Sequence, residues 1–178
     1  MARFVFLDRD GTIIRDPGYG PTIADYALLP GAVEGMKALA AAGFQLVIVT
    51  NQSGIGRGYF EEAFYQVFRD HVERDLARQG VTIAHTYHCP HAPEAGCRCR
   101  KPEPGLLLRA RDELGADLGT SWVIGDKPTD LELAERAACA GGLRVSSSER
   151  GPDVVRDLVE AAHVILERSR NTREGSEA

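Results

Sequence analysis

Short apolar runs alternate along this chain with longer segments in which apolar residues recur every three or four positions. The runs are short and largely β-branched or aromatic, which predicts strands at residues 4–7, 46–49, 83–87 and 122–124. The periodic segments predict helices at about 32–42, 60–79, 104–115 and 129–140. Such alternation predicts an α/β fold, in which helices cover both faces of a parallel sheet.

The chain has 178 residues, which is enough for one domain with its own hydrophobic core. A further periodic segment at about 153–168 predicts a last helix that packs on this domain. From Ser169 onward the chain is polar, and we expect residues 169–178 to form a disordered tail. The predicted domain therefore spans residues 1–168.

Two carboxylates, Asp8 and Asp10, follow the first apolar run directly. Asp8 can attack a phosphorus centre as a nucleophile, and Asp10 can give a proton to the leaving alcohol and later take one from water. Because Asp and Gly are also common turn residues, a plain surface turn after the strand is the alternative interpretation.

Further polar groups follow the later runs in chain order. The string Thr50-Asn51-Gln52-Ser53-Gly54 supplies a hydroxyl and amide donors, Arg100 and Lys101 supply two cations, and Asp126 follows the run at 122–124. Ligands of open α/β folds bind at the carboxyl ends of the strands, so we expect these groups to lie together. Acid, hydroxyl, cation and acid in one place favour a phosphate held on a divalent metal ion.

Magnesium is the metal that this set of groups favours, because it prefers oxygen ligands. We expect it to bind the carboxylates of Asp8 and Asp126 and the backbone carbonyl of Asp10. Lys101 would neutralise part of the remaining negative charge around the phosphorus atom. Two roles stay open for Asp130, which either tethers Lys101 or favours the helix dipole in the first turn of a helix.

Three cysteines and a histidine form a second cluster, Cys89-x-His91 and Cys97-x-Cys99. Four such ligands predict a structural zinc site that would fix Arg100 and Lys101 in place. A disulfide or buried free thiols are the alternatives, and the only other cysteine is Cys139. No signal-peptide pattern precedes the first strand, which favours reduced thiols and a cytoplasmic location.

Composition narrows the class of partner. Hydrophobic residues make up 43% of the chain and charged residues 26%, the net charge is −5, and no run of lysines and arginines occurs. We therefore expect a protein that binds neither nucleic acid nor a membrane. We also expect it to be a monomer. Five basic residues near the motifs are expected to face a small anion, namely Arg9, Arg57, Arg100, Lys101 and Lys127.

Over residues 4 to about 140 the chain resembles the haloacid dehalogenase superfamily of phosphatases. The four motifs of that superfamily are matched by Asp8-x-Asp10, Thr50, Lys101 and Gly125-Asp126-x-x-x-Asp130. The resemblance implies Asp8 as nucleophile, Asp10 as acid and base, Thr50 and Lys101 as phosphoryl stabilisers, and Asp126 as a magnesium ligand. It implies a Rossmann-like three-layer α/β fold with a central parallel sheet, and it also implies zinc at the cysteine cluster.

Within the superfamily, the strings D-R-D-G-T, T-N-Q-S-G-I-G-R-G and C-R-K-P look like the branch of histidinol-phosphate and heptose-bisphosphate phosphatases. That branch implies hydrolysis of a small sugar phosphate, foremost the 7-phosphate of D-glycero-D-manno-heptose 1,7-bisphosphate. The segments between the motifs are too short for a large cap domain, so loops must enclose the substrate. The residues expected to contact it are Asp16, Pro17, Gly18, Tyr19, Asn51, Gln52, Ser53, Arg57, Arg100 and Lys127.

Three other functions stay open. The five-residue gap between His91 and Cys97 looks more like histidinol-phosphate phosphatases, and a polynucleotide 3′-phosphatase shares a similar T-N-Q string. A phospho-accepting receiver domain, which is not an enzyme, also combines an aspartate, a hydroxyl, a lysine and Mg²⁺. The Asp8-x-Asp10 spacing argues against a receiver, because Asp10 would speed the loss of the phosphoryl group that a receiver must keep.

Overall fold

A computed structural model describes residues 2–20 and 22–176 and contains one parallel sheet. Its strands run in the spatial order β3-β2-β1-β4-β5-β6, and each neighbouring pair is parallel. The strands are β1 Phe4–Leu7, β2 Gln45–Asn51, β3 Ile83–Cys89, β4 Trp122–Gly125, β5 Gly141–Val145 and β6 Val154–Val155.

Helices connect the strands and cover the sheet on both sides. They are α1 Ala32–Ala41, the single turn α2 Ser53–Gly56, α3 Glu62–Arg78, α4 Gly105–Leu114, α5 Pro128–Arg136 and α6 Leu158–Ser176. Short 3₁₀ turns lie at Ile23–Asp25, Pro93–Ala95 and Leu118–Thr120. This architecture confirms the predicted three-layer α/β fold.

The core has two halves because side chains alternate between the two faces of each strand. Val5 and Leu7 of β1 face one half, where they meet buried residues of α1, α3 and α6. Phe4 and Phe6 face the other half, against α4 and α5. β1 lies at the centre of the sheet, so Asp8 is supported by packed layers on both sides.

Two strands in the last third of the chain escaped the sequence prediction. β5 contains Gly141, Gly142 and Arg144 and so lacks an apolar run; a Cβ at Gly141 would lie only 2.4 Å from the ring of Trp122. β6 has two residues and lies inside the segment that we expected to be helical from 153. α6 begins later, at Leu158, where the side chain of Asp157 accepts a hydrogen bond from the N–H of Glu160 at 2.9 Å.

Helix ends also differ from the expectation. α6 continues to Ser176, so the tail expected to be disordered from Ser169 is helical that far, because the polar stretch contains no proline and only one glycine, Gly175. Glu177 and Ala178 lie outside the described residues. α5 ends at Arg136 rather than near 140, since Ala138 takes a positive φ of 52° that turns the chain toward β5.

The segments between the central strands are short. Between β1 and β2 the described residues form one 3₁₀ turn and α1, and between β2 and β3 they form α2 and α3. Neither described segment adds a further domain over the sheet edge, as the spacing of the motifs predicted. No helix in the described part of the chain is both long and apolar enough to span a membrane.

The contact between α1 and α6 supplies a test of the packing. A Cβ added at Gly35 of α1 would lie 2.2 Å from the backbone oxygen of Leu158 in α6. We predict that Gly35→Ala lowers the free energy of unfolding by about 1–3 kcal/mol, because overpacking outweighs the gain of about 1 kcal/mol in helix propensity. Urea denaturation measures the change.

Gly119→Ala is the matched control, since its Cβ would meet only a side-chain oxygen at 3.5 Å. We expect it to change the free energy of unfolding by less than about 0.5 kcal/mol. Equal stability of the two variants would contradict the packing argument.

Candidate active site

A buried lysine lies at the centre of the carboxyl edge of the sheet. The Nζ atom of Lys101 is 2.9 Å from Oδ1 of Asp8 and 2.7 Å from Oδ1 of Asp130, and all three side chains are almost fully buried. Burial alone would lower the pKa of Lys101, but the two carboxylates raise it above its ordinary value. Lys101 is therefore a charged group fixed beside Asp8.

Asp130 tethers Lys101 and also caps α5. Its second oxygen, Oδ2, accepts a hydrogen bond from the backbone N–H of Lys127 at 3.0 Å. Both roles that the sequence left open are thus present at once. Gly125 makes room for this carboxylate, since a Cβ there would lie 2.0 Å from Oδ2 of Asp130.

The backbone of Lys101 is held by a residue of β2. Asn51 donates from Nδ2 to the carbonyl oxygen of Lys101 at 3.2 Å and accepts from its N–H at 3.1 Å. Asn51, expected to contact substrate, therefore also holds the lysine in place.

Asp10 lies in a hydrogen-bonded frame. Arg9 donates to both of its oxygens, from Nε at 2.9 Å and from Nη2 at 3.0 Å. Nε2 of Gln52 lies 2.8 Å from Oδ2 of Asp10 and 2.9 Å from Oγ1 of Thr50. The frame joins the end of β1 to the end of β2, so the predicted catalytic side chains lie together.

Two of the five cations expected to face a small anion point elsewhere. Arg9 is 1% exposed and its guanidinium lies beneath aromatic rings of α3. Arg57 lies 3.6 Å from Glu94 and does not line the cavity described below. We expected these two arginines to face the anion because they lie near the motifs in the sequence. Nearness in the sequence does not determine the direction in which a side chain points.

The carboxylates beside Lys101 form a set that could hold a divalent cation. Oxygen atoms of Asp8, Asp126 and Asp130 lie within 4.8 Å of one another, and Oδ1 of Asp126 is buried without a hydrogen-bond partner. Lys101 forms ion pairs with Asp8 and Asp130, and Arg9 pairs with Asp10. The clustered oxygen donors, one of them without a hydrogen-bond partner, fit Mg²⁺.

The pKa values of these acids point to the same need for positive charge. The pKa of Asp8 is raised, chiefly by burial. The nearby carboxylates of Asp130 and Asp10 raise this pKa further, whereas the positive charge of Lys101 lowers it. Burial also raises the pKa of Asp126. A cation bound between them would favour the ionised carboxylates that nucleophilic attack and metal binding require.

The predicted Cys/His cluster is assembled. Between neighbouring donor atoms of Cys89, His91, Cys97 and Cys99 the distances are 3.2–3.6 Å. The edges of a tetrahedron around Zn²⁺ measure about 3.5–3.8 Å, given the usual bond lengths to sulfur and nitrogen. The thiols are not paired in disulfides. The donor atoms thus fit one tetrahedral metal ion.

The cluster is joined to the candidate catalytic residues through the backbone. The N–H of Gln52 donates to the carbonyl of Cys89 at 2.8 Å, and the N–H of Gly56 donates to Pro90 at 2.7 Å. A Cβ at Gly56 would lie 2.5 Å from the backbone nitrogen of Ala92, so only glycine fits this contact. Lys101 follows Cys99 after a single residue, which connects the cluster directly to the buried ion pair.

A cavity of about 360 Å³ opens above these groups. Most of the residues expected to contact substrate line it, but Pro17 and Arg57 do not. The lining residues are Asp10, Asp16, Gly18, Tyr19, Asn51, Gln52, Ser53, Gly54, Phe60, Arg100, Lys101, Lys127 and Thr129.

Sequence reasoning missed three of the lining residues and the shape of the entrance. Gly54 and Thr129 belong to matched motif strings and could have been included, whereas no pattern marked Phe60. At the entrance the exposed ring of Tyr19 meets the ring of Tyr59 edge to face, with centroids 5.0 Å apart. One side of the cavity is therefore aromatic.

Arg100 and Lys127 place positive charge on the cavity wall. The Nη1 atom of Arg100 is buried and has no hydrogen-bond partner among the described residues. A buried guanidinium nitrogen without a partner is costly, and an anion in the cavity would supply one.

Comparison with known protein families agrees with this site. The family described as polynucleotide kinase 3 phosphatase matches residues 3–129. The matched residues include the first three motifs and the fourth as far as Thr129, one residue before Asp130. The family described as HAD-hydrolase-like matches residues 98–168.

Individual relatives point to one branch. D-glycero-beta-D-manno-heptose-1,7-bisphosphate 7-phosphatase of Photorhabdus laumondii is 41% identical over 169 residues, covering 91% of this chain and 88% of the relative. The enzyme of that name from Escherichia coli K12 is 43% identical over 140 residues, covering 75% and 73%.

A solved structure of the same kind superposes closely. The D,D-heptose 1,7-bisphosphate phosphatase of B. bronchiseptica, complexed with magnesium and phosphate, matches with a TM-score of 0.82 and 30% identity, covering 93% of this chain and 98% of the other. The chain therefore belongs to the haloacid dehalogenase superfamily, in its branch of heptose-bisphosphate phosphatases.

Proposed function

We propose that this protein is a Mg²⁺-dependent phosphatase that removes the 7-phosphate from D-glycero-D-manno-heptose 1,7-bisphosphate through an aspartyl-phosphate intermediate. The observation that carries the proposal is the ion pair of Lys101 with Asp8, two residues from an Asp10 that lines the cavity. The side chains proposed as nucleophile, counter-cation and proton carrier therefore lie close together.

In the first step the carboxylate of Asp8 attacks the phosphorus atom and the bond from phosphorus to the sugar oxygen breaks. Asp10, protonated at this stage, gives its proton to the departing sugar oxygen. Lys101 and the hydroxyl of Thr50 stabilise the charge on the phosphoryl oxygens.

In the second step water attacks the phosphorus atom and gives a proton to Asp10. The bond between phosphorus and the Asp8 oxygen breaks, which releases inorganic phosphate and restores the Asp8 carboxylate. Asp10 ends the cycle protonated, as it began, so one water is consumed for each ester cleaved.

Asp8, the backbone carbonyl of Asp10 and Asp126 would hold the Mg²⁺ ion. When bound, Mg²⁺ supplies positive charge that offsets the negative charge of the phosphoryl oxygens and of the clustered carboxylates. Asp130 keeps its hydrogen bond to Lys101, so its role in the proposal is to hold the lysine.

Cys89, His91, Cys97 and Cys99 would hold a structural Zn²⁺ ion. Four protein ligands fill a tetrahedral site and leave no position for a reacting water. The role of this ion is mechanical, since it fixes the loop from which Arg100 and Lys101 reach the cavity. The reduced thiols of the cluster also support a cytoplasmic location for the proposed enzyme. We propose that the enzyme acts as a monomer.

The charge on the cavity wall supports a substrate with two phosphates. Lys101 already balances the phosphoryl group at Asp8, so Arg100 and Lys127 are available for a second anion, the 1-phosphate. The sugar, which lies between the two phosphates, would be contacted by Asp16, Gly18, Tyr19, Gln52 and Ser53. Pro17 would shape the same loop, whereas Arg57 would act only through its contact with Glu94.

Histidinol phosphate is the second candidate substrate, favoured by the short gap between His91 and Cys97. Its cationic amine would face Arg100 and Lys127, which disfavours binding. A polynucleotide 3′-phosphate is disfavoured by the net charge of −5, although the family match over residues 3–129 makes it worth assaying.

The proposed chemistry predicts different failures for the two acids. We expect Asp8→Asn to abolish turnover, because the nucleophile is lost, and Asp10→Asn to accumulate a phosphorylated enzyme that hydrolyses slowly. Acid quenching after labelling with ³²P-phosphoester measures both. Substantial steady-state activity in Asp8→Asn would refute the assignment of the nucleophile, and would leave a receiver-like or unrelated function to be considered.

The proposed second anion predicts that Arg100→Ala acts selectively. We expect kcat/KM for the heptose bisphosphate to fall roughly ten- to a hundredfold and kcat/KM for histidinol phosphate to fall much less. Arg98→Ala is the matched control, because Arg98 is exposed and does not line this cavity. Equal losses on both substrates, or a better wild-type rate on histidinol phosphate, would contradict a site for a second phosphate.

The cluster geometry predicts one zinc ion per chain in protein purified without chelator, measured by elemental analysis. Cys97→Ala with Cys99→Ala should lose the zinc and speed hydrogen exchange across residues 89–101, because the loop loses its brace. Cys139→Ala, a cysteine outside the cluster, should retain zinc. Unchanged zinc content in the double variant would show that the cluster is not the site.

A further inference from the structure

Arg9 occupies the space between Asp10 and helix α3, where a substrate has no access. The residue is 1% exposed and does not line the cavity. Its guanidinium therefore acts on the protein and not on the phosphoester.

The contact between Arg9 and Asp10 fixes the orientation of the carboxylate. Nε and Nη2 each donate to a different oxygen, at 2.9 Å and 3.0 Å. A planar fork that meets both oxygens sets the plane of the carboxylate as well as its distance, which a single point charge cannot do.

Arg9 is itself held by α3. The centre of its guanidinium lies 5.0 Å from the ring centroid of Phe68 and 5.5 Å from that of Tyr65. The Tyr65 ring packs in turn against His88 at 4.3 Å, and His88 pairs with Glu62 at 2.8 Å. The position of Arg9 thus depends on a helix outside the motif loop.

Stability alone does not explain an arginine at this position. A buried ion pair contributes little net stability compared with well-packed apolar side chains of similar volume, and here Nη1 of Arg9 remains buried without a partner. A methionine would fill much of the same space but would leave the Asp10 carboxylate without its two donors from Arg9. The contact that the arginine supplies and a methionine could not is the pair of hydrogen bonds to the two oxygens of Asp10.

We propose that Arg9 is a positioning residue, which orients the Asp10 carboxylate for proton transfer to the sugar oxygen and from the attacking water. The inference rests on the proposed function, since it assigns Arg9 a part in that same reaction. Gln52 assists from the cavity side through its bond to Oδ2 of Asp10, while Arg9 sets the plane.

A double-mutant cycle with Asp10 tests the proposal. We expect Arg9→Met to lower kcat about a hundredfold with KM changed less than about threefold, because proton transfer and not binding is impaired. In the Asp10→Asn background the same substitution should change the rate less than about threefold, since Arg9 acts through the carboxylate. Arg9→Met should also slow phosphorylation of the enzyme by an alkyl phosphate much more than phosphorylation by p-nitrophenyl phosphate, because the p-nitrophenolate leaving group needs no proton.

Two further variants keep the test valid if Arg9→Met folds poorly. Arg9→Lys retains the charge but loses the fork, and it should recover only part of kcat. Arg3→Met is the matched control, because Arg3 also lies over an aromatic ring, that of Phe44 at 4.4 Å, but at the far end of β1; it should retain wild-type kcat.

The outcomes separate this inference from the proposed function. If wild-type protein hydrolyses no phosphoester, the proposed function fails before Arg9 is tested. If wild type is active, a hundredfold loss that persists in the Asp10→Asn background, a loss confined to KM, or full activity of Arg9→Lys would each overturn the positioning role.

Discussion

The ion pairs of Lys101 are the constraint on which the rest of the site depends. One ammonium group, buried with Asp8 and Asp130, holds together the end of β1, the first turn of α5 and the loop after β3. Charges so far from water are tolerable only while each has its partner, so the three segments cannot shift independently. The α/β layers keep these partners in register, and Asn51 fixes the lysine backbone from β2.

The Cys/His cluster lies in a loop that the rest of the fold supports only weakly. The loop between β3 and α4 contains four prolines and exposes much of its length, so it has little core of its own. Yet this loop must deliver Lys101 into a fully packed position. Backbone hydrogen bonds from Gln52 and Gly56 join it to the loop after β2. A tetrahedral metal ion, as proposed, would complete that support.

Most of the site could be predicted because apolar runs end where the reactive groups begin. Asp8, Thr50 and Asp126 each follow or close a strand, and parallel strands bring such positions together. Side-chain direction could not be predicted. Arg9 is adjacent to Asp8 in sequence, but only the packing of α3 shows that Arg9 contacts Asp10 on the side away from the cavity. β5 was missed because Gly141 is selected by the Trp122 ring, a contact between distant residues.

The chemistry and the cavity wall come from different parts of the chain. The proposed nucleophile Asp8 and the proposed phosphoryl stabiliser Thr50 lie at strand ends buried in the core, whereas Tyr19 and Phe60 lie on loops at the cavity. Substitutions in these loops can reshape the accepted substrate while the stability of the protein and its hydrolytic step are preserved. Evolution can therefore explore new phosphoesters on this scaffold in small steps, since the residues that select and the residues that react are not the same.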